Sequence, residues 1–382
     1  MQVQEPSYAR IFSIIKALPV PSTTNTHTSP RDGQRTHRQR ARSQCSLLHP
    51  RAESACGHCG PGLTVVEATA VVPEGRITPQ DVGIWSDEHI QPWKEIVQFA
   101  HSQNQKIADQ LAHGGRKAST VAPWLHSTLA APEIDGSWPD NVWGLNDIPY
   151  NEHFPKPKEL SHDGVKRVVH AFADGALSAR RHRDPCAHGY LISEFLNPQA
   201  NRRTDEYGGS FENRIRLLIE IVDALRAIIL PKCLSSSDWL EEVYPNEHWG
   251  IEDTVRLAPT LAEHGVDLLD VSSGGVHAAQ RLKLKPLMQV PFSEAVRRAH
   301  GDKILVSAVG SITDGNDAQS VLDQGAADVV FVGRQFQKNP GAVWAFAEDL
   351  GVTITVPHQI EWGFVGRGGV GRKGVAGLKQ QF

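Results

Sequence analysis

The chain has 382 residues, enough for one large barrel or two ordinary domains, and 40% of them are hydrophobic, which can supply a substantial core. A formal net charge of −4 and a pI near 6.5 leave no electrostatic footprint for nucleic acid or an anionic membrane as the main partner, and no apolar run approaches the roughly 20 residues of a membrane-spanning helix. Five cysteines (Cys45, Cys56, Cys59, Cys186, Cys233) form an odd, irregularly spaced set behind no recognisable secretory leader, so no disulfide framework is expected and a reducing cytosol is the expected compartment.

In chain order, residues 23–60 hold few aliphatics, many Ser, Thr, His and Arg, and no hydrophobic period, so 1–62 is expected to be a divergent, disordered segment. From residue 63 short β-branched or aliphatic runs alternate with longer amphipathic stretches, the pattern of repeated βα units around a parallel sheet. The predicted strands are LTVVEATAV (63–71), KIADQLAH (106–113), VDLLDVSS (266–273), KILVSAVG (303–310) and ADVVFVGR (327–334). Helical patterns lie at DEHIQPWKEIVQFAHSQ, FENRIRLLIEIVDALRAII, IEDTVRLAPTLAEHG and PFSEAVRRAHG, with Asp, Glu or Pro near their starts and Gly closing some of them. A barrel domain over 63–364 follows, and the Gly-rich, basic tail 365–382 is expected to be flexible.

The strand ending in QLAHGGRK carries the densest chemistry. Gln110, His113, Arg116 and Lys117 cluster at its tip, and in a parallel α/β barrel the C-terminal ends of strands hold the active site. Two later strands end in Gly310 and in Gly333–Arg334; glycine lets backbone N–H groups approach an anion, and an arginine adds a bidentate charge, so these positions suit a phosphate. Glycines that merely turn the chain after a strand are the plainer explanation. The AHGYL stretch brings His188 and Tyr190 close together, which as a bare motif is an ordinary turn with a packed aromatic.

The order of VEATAVVPEGRITPQDVGIWSDEHI (66–90), the glutamine strand, AHGYLISEFLNPQANRRTDEYGGSFENRIR (187–216), SDWLEE (237–242), GVDLLDVSSGG (265–275), SAVGSITDG (307–315) and VFVGRQFQKNPG (330–341) resembles the bacillary and fungal branch of the Old Yellow Enzyme family. The resemblance spans most of 63–364. It implies a TIM (β/α)8 barrel with non-covalent FMN, reduction of the flavin by NADPH or NADH, and hydride delivery to the activated C=C bond of a small-molecule enone or enal. It further implies that Ala68 and Gln110 line the flavin ring, that Gly310, Gly333 and Arg334 hold its phosphate, and that His188 and Tyr190 bind the substrate carbonyl and protonate the alkene carbon. No metal is implied, and a homo-oligomer is compatible with it.

Three of the family's strands are not legible. A Ser-Pro-Met-Cys strand beneath the flavin has no counterpart. SARRHRDPCAHGYL (178–191) puts Pro185 where a first histidine belongs, and a proline among five charged or ionisable residues does not suit a central parallel strand. Only LPKCLSS stands where strand five belongs, with Cys233 at the place of a flavin-contacting arginine. The barrel is therefore expected to be incomplete or distorted at strands 1, 4 and 5. Arg-Arg-His-Arg-Asp-Pro-Cys, back-translated and read one base later, permits Ala-Gly-Thr-Glu-Ile-His-Ala, close to the missing strand, so frame slips or missed splice sites are one origin. The alternative function is a catalytically inactive barrel. Minor alternatives for the N-terminal segment are a zinc knot at Cys45, Cys56, His58 and Cys59, a nucleic-acid arm of Arg31, Arg35, Arg38, Arg40 and Arg42, and a transit peptide.

Overall fold

The computed structural model describes residues 60–103, 105–126, 129–178, 190–228, 249–275, 277–278, 285–352, 354, 356 and 358–366, with the backbone alone at 15–16 and 232–235. The first arc of sheet is β1 (Ile15–Lys16), β2 (Thr64–Ala70) and β3 (Ile107–Ala112), all parallel. Between β2 and β3 runs α1 (Ile90–Ser102), whose Trp93, Ile96, Val97 and Ala100 recur at helical spacing and bury one face. All six residues of β3 are buried, as expected of a strand covered on both faces.

Register is set by one irregularity. Val65 pairs with Ala108 and Ala68 with Gln110, so two residues of β2, Val66 and Glu67, stand opposite the single Asp109. This bulge re-aims β2 and brings Ala68 level with Gln110.

After β3 the chain makes a long excursion through the small parallel pair β4 (Trp143–Gly144) and β5 (Lys158–Glu159), then returns along α2 (His162–Ser178). Next come α3 (Leu191–Leu196) and α4 (Phe211–Arg226), the latter capped by Ser210, whose hydroxyl accepts the Asn213 N–H at 3.2 Å. The second arc is β6 (Lys232–Ser235), β7 (Val266–Val271), β8 (Leu305–Val309) and β9 (Val329–Phe331), also parallel throughout. Its helices are α5 (Ile251–Glu263), α6 (Val290–His300) and α7 (Gly315–Asp323), followed by α8 (Arg334–Lys338), α9 (Ala342–Asp349) and α10 (His358–Val365).

The two arcs enclose a common interior. Val65 of β2, Leu268 of β7 and Phe331 of β9 form one buried cluster, with Leu63, Val309 and Val329 packed against it. A larger apolar layer outside the strands joins α1, α2, α4 and α5, and a further one joins α6, α7 and α9. Strands inside, helices outside and a plug of branched and aromatic side chains within are the layering of a β/α barrel.

Two expectations change. The chain does place a strand at the first position, the two residues Ile15–Lys16 beside β2, although no strand was legible there. At the fifth position LPKCLSS yields the four-residue β6, pairing Lys232 with Val266 and Ser235 with Asp270. The ladder of β7, rather than β-propensity in those residues, accounts for it. The expected loss at strand four falls on 179–189, outside the described residues, as do Cys45, Cys56, Cys59 and nearly all of the N-terminal segment and C-terminal tail.

Candidate active site

A cavity of about 720 Å3 opens at the C-terminal ends of β2, β3, β8 and β9, within the range of roughly 300–1,000 Å3 usual for small-molecule and cofactor sites. Ala68, Gln110, Tyr190, Gly310, Gly333 and Arg334 all line it. Residues up to 266 positions apart in sequence are thus gathered on one wall system. His188 lies outside the described residues.

Gln110 is 3% exposed, and its side-chain Oε1 is buried without a hydrogen-bond partner among the described residues. An acceptor so placed on a cavity wall suits a ligand that brings its own N–H, because a buried unpaired polar atom costs about 1–3 kcal/mol.

At the end of β3, Nδ1 of His113 accepts the Gly115 N–H at 3.0 Å and starts the 3-10 turn Gly115–Lys117. His113 is fully buried, and desolvation pulls it down to about 4, with Arg167 adding to the effect. The imidazole is neutral at physiological pH, as its acceptor role requires.

The same turn is stitched to α3. Leu191 N–H donates to the His113 carbonyl at 3.1 Å, while the Glu194 carboxylate accepts Arg116 N–H at 2.8 Å and Leu145 N–H at 3.0 Å. These bonds deliver Tyr190, the residue preceding α3, to the cavity. Burial pushes Glu194 up from its ordinary value, partly offset by the charge of Arg116.

Lys117 completes this side. Its Nζ donates to the Gly275 carbonyl at 2.8 Å and stands 4.9 Å from the Tyr190 ring centroid and 5.0 Å from that of Tyr150. Another stretch of wall comes from the loop after β2. There the Asp81 carboxylate accepts the N–H groups of Ile77 and Thr78 at 2.7 and 3.1 Å, and the Thr78 hydroxyl at 2.6 Å.

Another stretch of wall holds Gly310, Gly333 and Arg334, the residues whose types suit a phosphate. Gly310 has φ +109°, and Ser311 next to it has φ +55°. Arg334 and Lys338, one helical turn apart on α8, both reach the cavity and make this corner positive. Glu67, Thr78, Asp81, Phe154, Ser311 and Lys338 also contribute to the wall, and none was singled out from sequence. Only Lys117 among the additional residues stood in a recognised polar cluster.

Residues 48–350 match the model of the NADH:flavin oxidoreductase / NADH oxidase family. The chain belongs to the Old Yellow Enzyme family. An NADH:flavin oxidoreductase of Gibberella zeae is 47% identical over 333 residues, covering 82% of this chain and 80% of that protein. An NADPH dehydrogenase of Geobacillus thermodenitrificans is 42% identical over 311 residues, covering 79% and 84%. Among solved structures, morphinone reductase in complex with tetrahydroNAD superposes with a TM-score of 0.62 at 24% identity over 90% of this chain and 88% of its own. The old yellow enzyme homologue from Zymomonas mobilis gives 0.62 at 23% identity, over 90% of each chain. These likenesses show the α/β TIM-barrel fold.

The cavity of this Old Yellow Enzyme relative fits FMN on its own chemistry. The orphaned Gln110 acceptor matches the imide N–H at the polar edge of an isoalloxazine. At Gly310 a side chain is disfavoured both by the φ of +109° and by the Gln289 side chain 3.1 Å from an added Cβ, and the bare backbone of this turn lines the cavity together with Arg334, a pairing that suits an anion. Phe331 and Val309 add an apolar stretch to the same lining.

Proposed function

We propose that this chain, through the domain 63–364, is a cytosolic FMN-dependent oxidoreductase that takes electrons from NADPH or NADH and reduces the activated C=C bond of a small enone or enal. Bound FMN, once reduced, supplies the hydride. In this reading Ala68 and Gln110 contact the flavin ring, and Gly310, Gly333 and Arg334 hold its phosphate. Hydride addition at the β-carbon builds negative charge on the carbonyl oxygen, which His188 stabilises as a donor, and Tyr190 O–H gives its proton to the α-carbon. Water then restores the phenol. The observation that carries this reading is the convergence of Ala68, Gln110, Tyr190, Gly310, Gly333 and Arg334 on one cavity, together with the buried, unpartnered side-chain acceptor of Gln110.

The same reading includes impairment. With Pro185 at the place of a second carbonyl donor, one oxyanion-type contact is missing, a loss of about 10²–10³ in rate. The barrel is taken as incomplete around strand four and shortened at strands one and five, and the inactive barrel is the second reading that Pro185 favours. Purified full-length chain tests both. Yellow protein with near-stoichiometric FMN and slow NADPH-dependent reduction of cyclohexenone supports the impaired enzyme. Turnover at ordinary enzyme rates refutes the impairment, and colourless protein that takes up no added FMN refutes the flavoenzyme.

A further inference from the structure

Lys117 is held in place by neighbours that do not belong to its own turn. Its Nζ donates to the Gly275 carbonyl beyond β7, and it faces the rings of Tyr150 and Tyr190 at 5.0 and 4.9 Å. It lines the cavity together with Tyr190. A cation set against an aromatic face is attracted by the ring, and it stabilises negative charge developing on a phenol attached to that ring.

The other charged and titratable groups packed around this corner are differently engaged. Glu194, one turn along α3, is occupied by two backbone N–H groups, and His113 is neutral. The Arg116 guanidinium lies over the Tyr150 ring, 5.8 Å from its centroid, and burial together with Arg116 holds His277 toward its neutral form. His126, Glu67 and Asp81 belong to other stretches of the cavity wall.

We propose that Lys117 is a positioning residue for Tyr190: its tethered ammonium fixes the ring on the cavity wall and makes the phenol a stronger acid. The proposal rests on the preceding reading only for the use to which that acidity is put, the proton transfer to the α-carbon. The tether matters because a lysine free to swing into water would be screened, whereas one bonded to Gly275 keeps its charge against the ring.

Ultraviolet difference titration of phenolate in the full chain reads this directly, with or without bound flavin. Subtracting the curve of Tyr190→Phe from that of the wild type isolates Tyr190. In Lys117→Gln the isolated midpoint should rise by about one pH unit, and Lys117→Arg, which keeps the charge, should stay near the wild type. Lys117→Met supplies a second neutral variant should the glutamine variant fail to fold. Equal midpoints in wild type and a folded neutral variant overturn the proposal. Should the midpoint shift as expected while Tyr190→Phe leaves cyclohexenone reduction unchanged, the pairing stands and the assignment of Tyr190 as proton donor is what fails.

Discussion

The Glu194 carboxylate accepts the Arg116 backbone N–H at 2.8 Å across 78 positions of sequence, and the same side chain accepts Leu145 N–H at 3.0 Å. One buried acid thereby fixes the turn after β3, the chain just after β4 and the helix behind Tyr190. Gly115 belongs to the same arrangement: a Cβ there would fall 2.2 Å from the Glu194 carboxylate, and its φ of +57° already disfavours a side chain.

Replacing Glu194 by alanine should leave two buried N–H groups without an acceptor and destabilise the fold by about 3 kcal/mol, read as a lowered denaturant midpoint. The glutamine variant isolates the charge. Because burial raises the carboxyl above its ordinary 4.5, the folded chain binds a proton more tightly than the unfolded one, so stability relative to Glu194→Gln falls as pH rises from 4.5 through the folded value. A flat difference between the two proteins across that window would show that the charge is compensated completely by Arg116 and the two N–H groups.

His113 should give the opposite slope. Its folded value of about 4 lies below the ordinary 6.5, so its contribution is present above pH 6.5 and is lost as pH falls toward 4. The loss amounts to about 3 kcal/mol at 1.36 kcal/mol per unit. Chemical denaturation of wild type and His113→Gln at pH 7.5, 6, 5 and 4 (about the range set by the two values) measures it. The wild type should lose stability faster on acidification, and parallel curves would mean that the imidazole is reached by water.

Legibility in the sequence followed the source of each residue's role. Gln110, Gly310 and Arg334 lie in or just after strands whose pattern is local, so the barrel rule could point to them, whereas Ala68 was legible only through the family resemblance. Glu194 could not. In LISEFL it reads as a solvent-facing helix residue, and only the packing of α3 under the turn Gly115–Lys117 buries it. Asp81 and Thr78 were hidden for a similar reason: they act in a loop whose shape comes from their own hydrogen bonds. The strand β6 was illegible because KCLS lacks both alternation and β-branched residues, and its extended state is imposed by the neighbouring ladder.

Gly310→Ala is expected to lower both stability and flavin content. At φ +109° a side chain is strained by about 1–3 kcal/mol, and the new Cβ would press on Gln289, which donates to the Ser273 carbonyl at 3.3 Å. Thermal unfolding of the apoprotein gives the strain, and FMN titration gives the effect on the cradle. A variant with wild-type unfolding and wild-type FMN affinity would show that this turn relaxes without consequence.

Arg334 and Lys338 separate a specific phosphate contact from general attraction. Both line the cavity from α8, but Arg334 stands at the first position of the helix, directly after Gly333, which lines the cavity with it. A charge-assisted hydrogen bond contributes about 1.5–3 kcal/mol, so Arg334→Ala should weaken FMN binding about 10- to 100-fold. Lys338→Ala, one turn on, should weaken it only a few-fold and lose that effect at high salt. Riboflavin, which lacks the phosphate, is the discriminating ligand, with binding followed by quenching of flavin fluorescence. If Arg334→Ala weakens riboflavin as much as FMN, the residue shapes the ring pocket, and the phosphate belongs elsewhere.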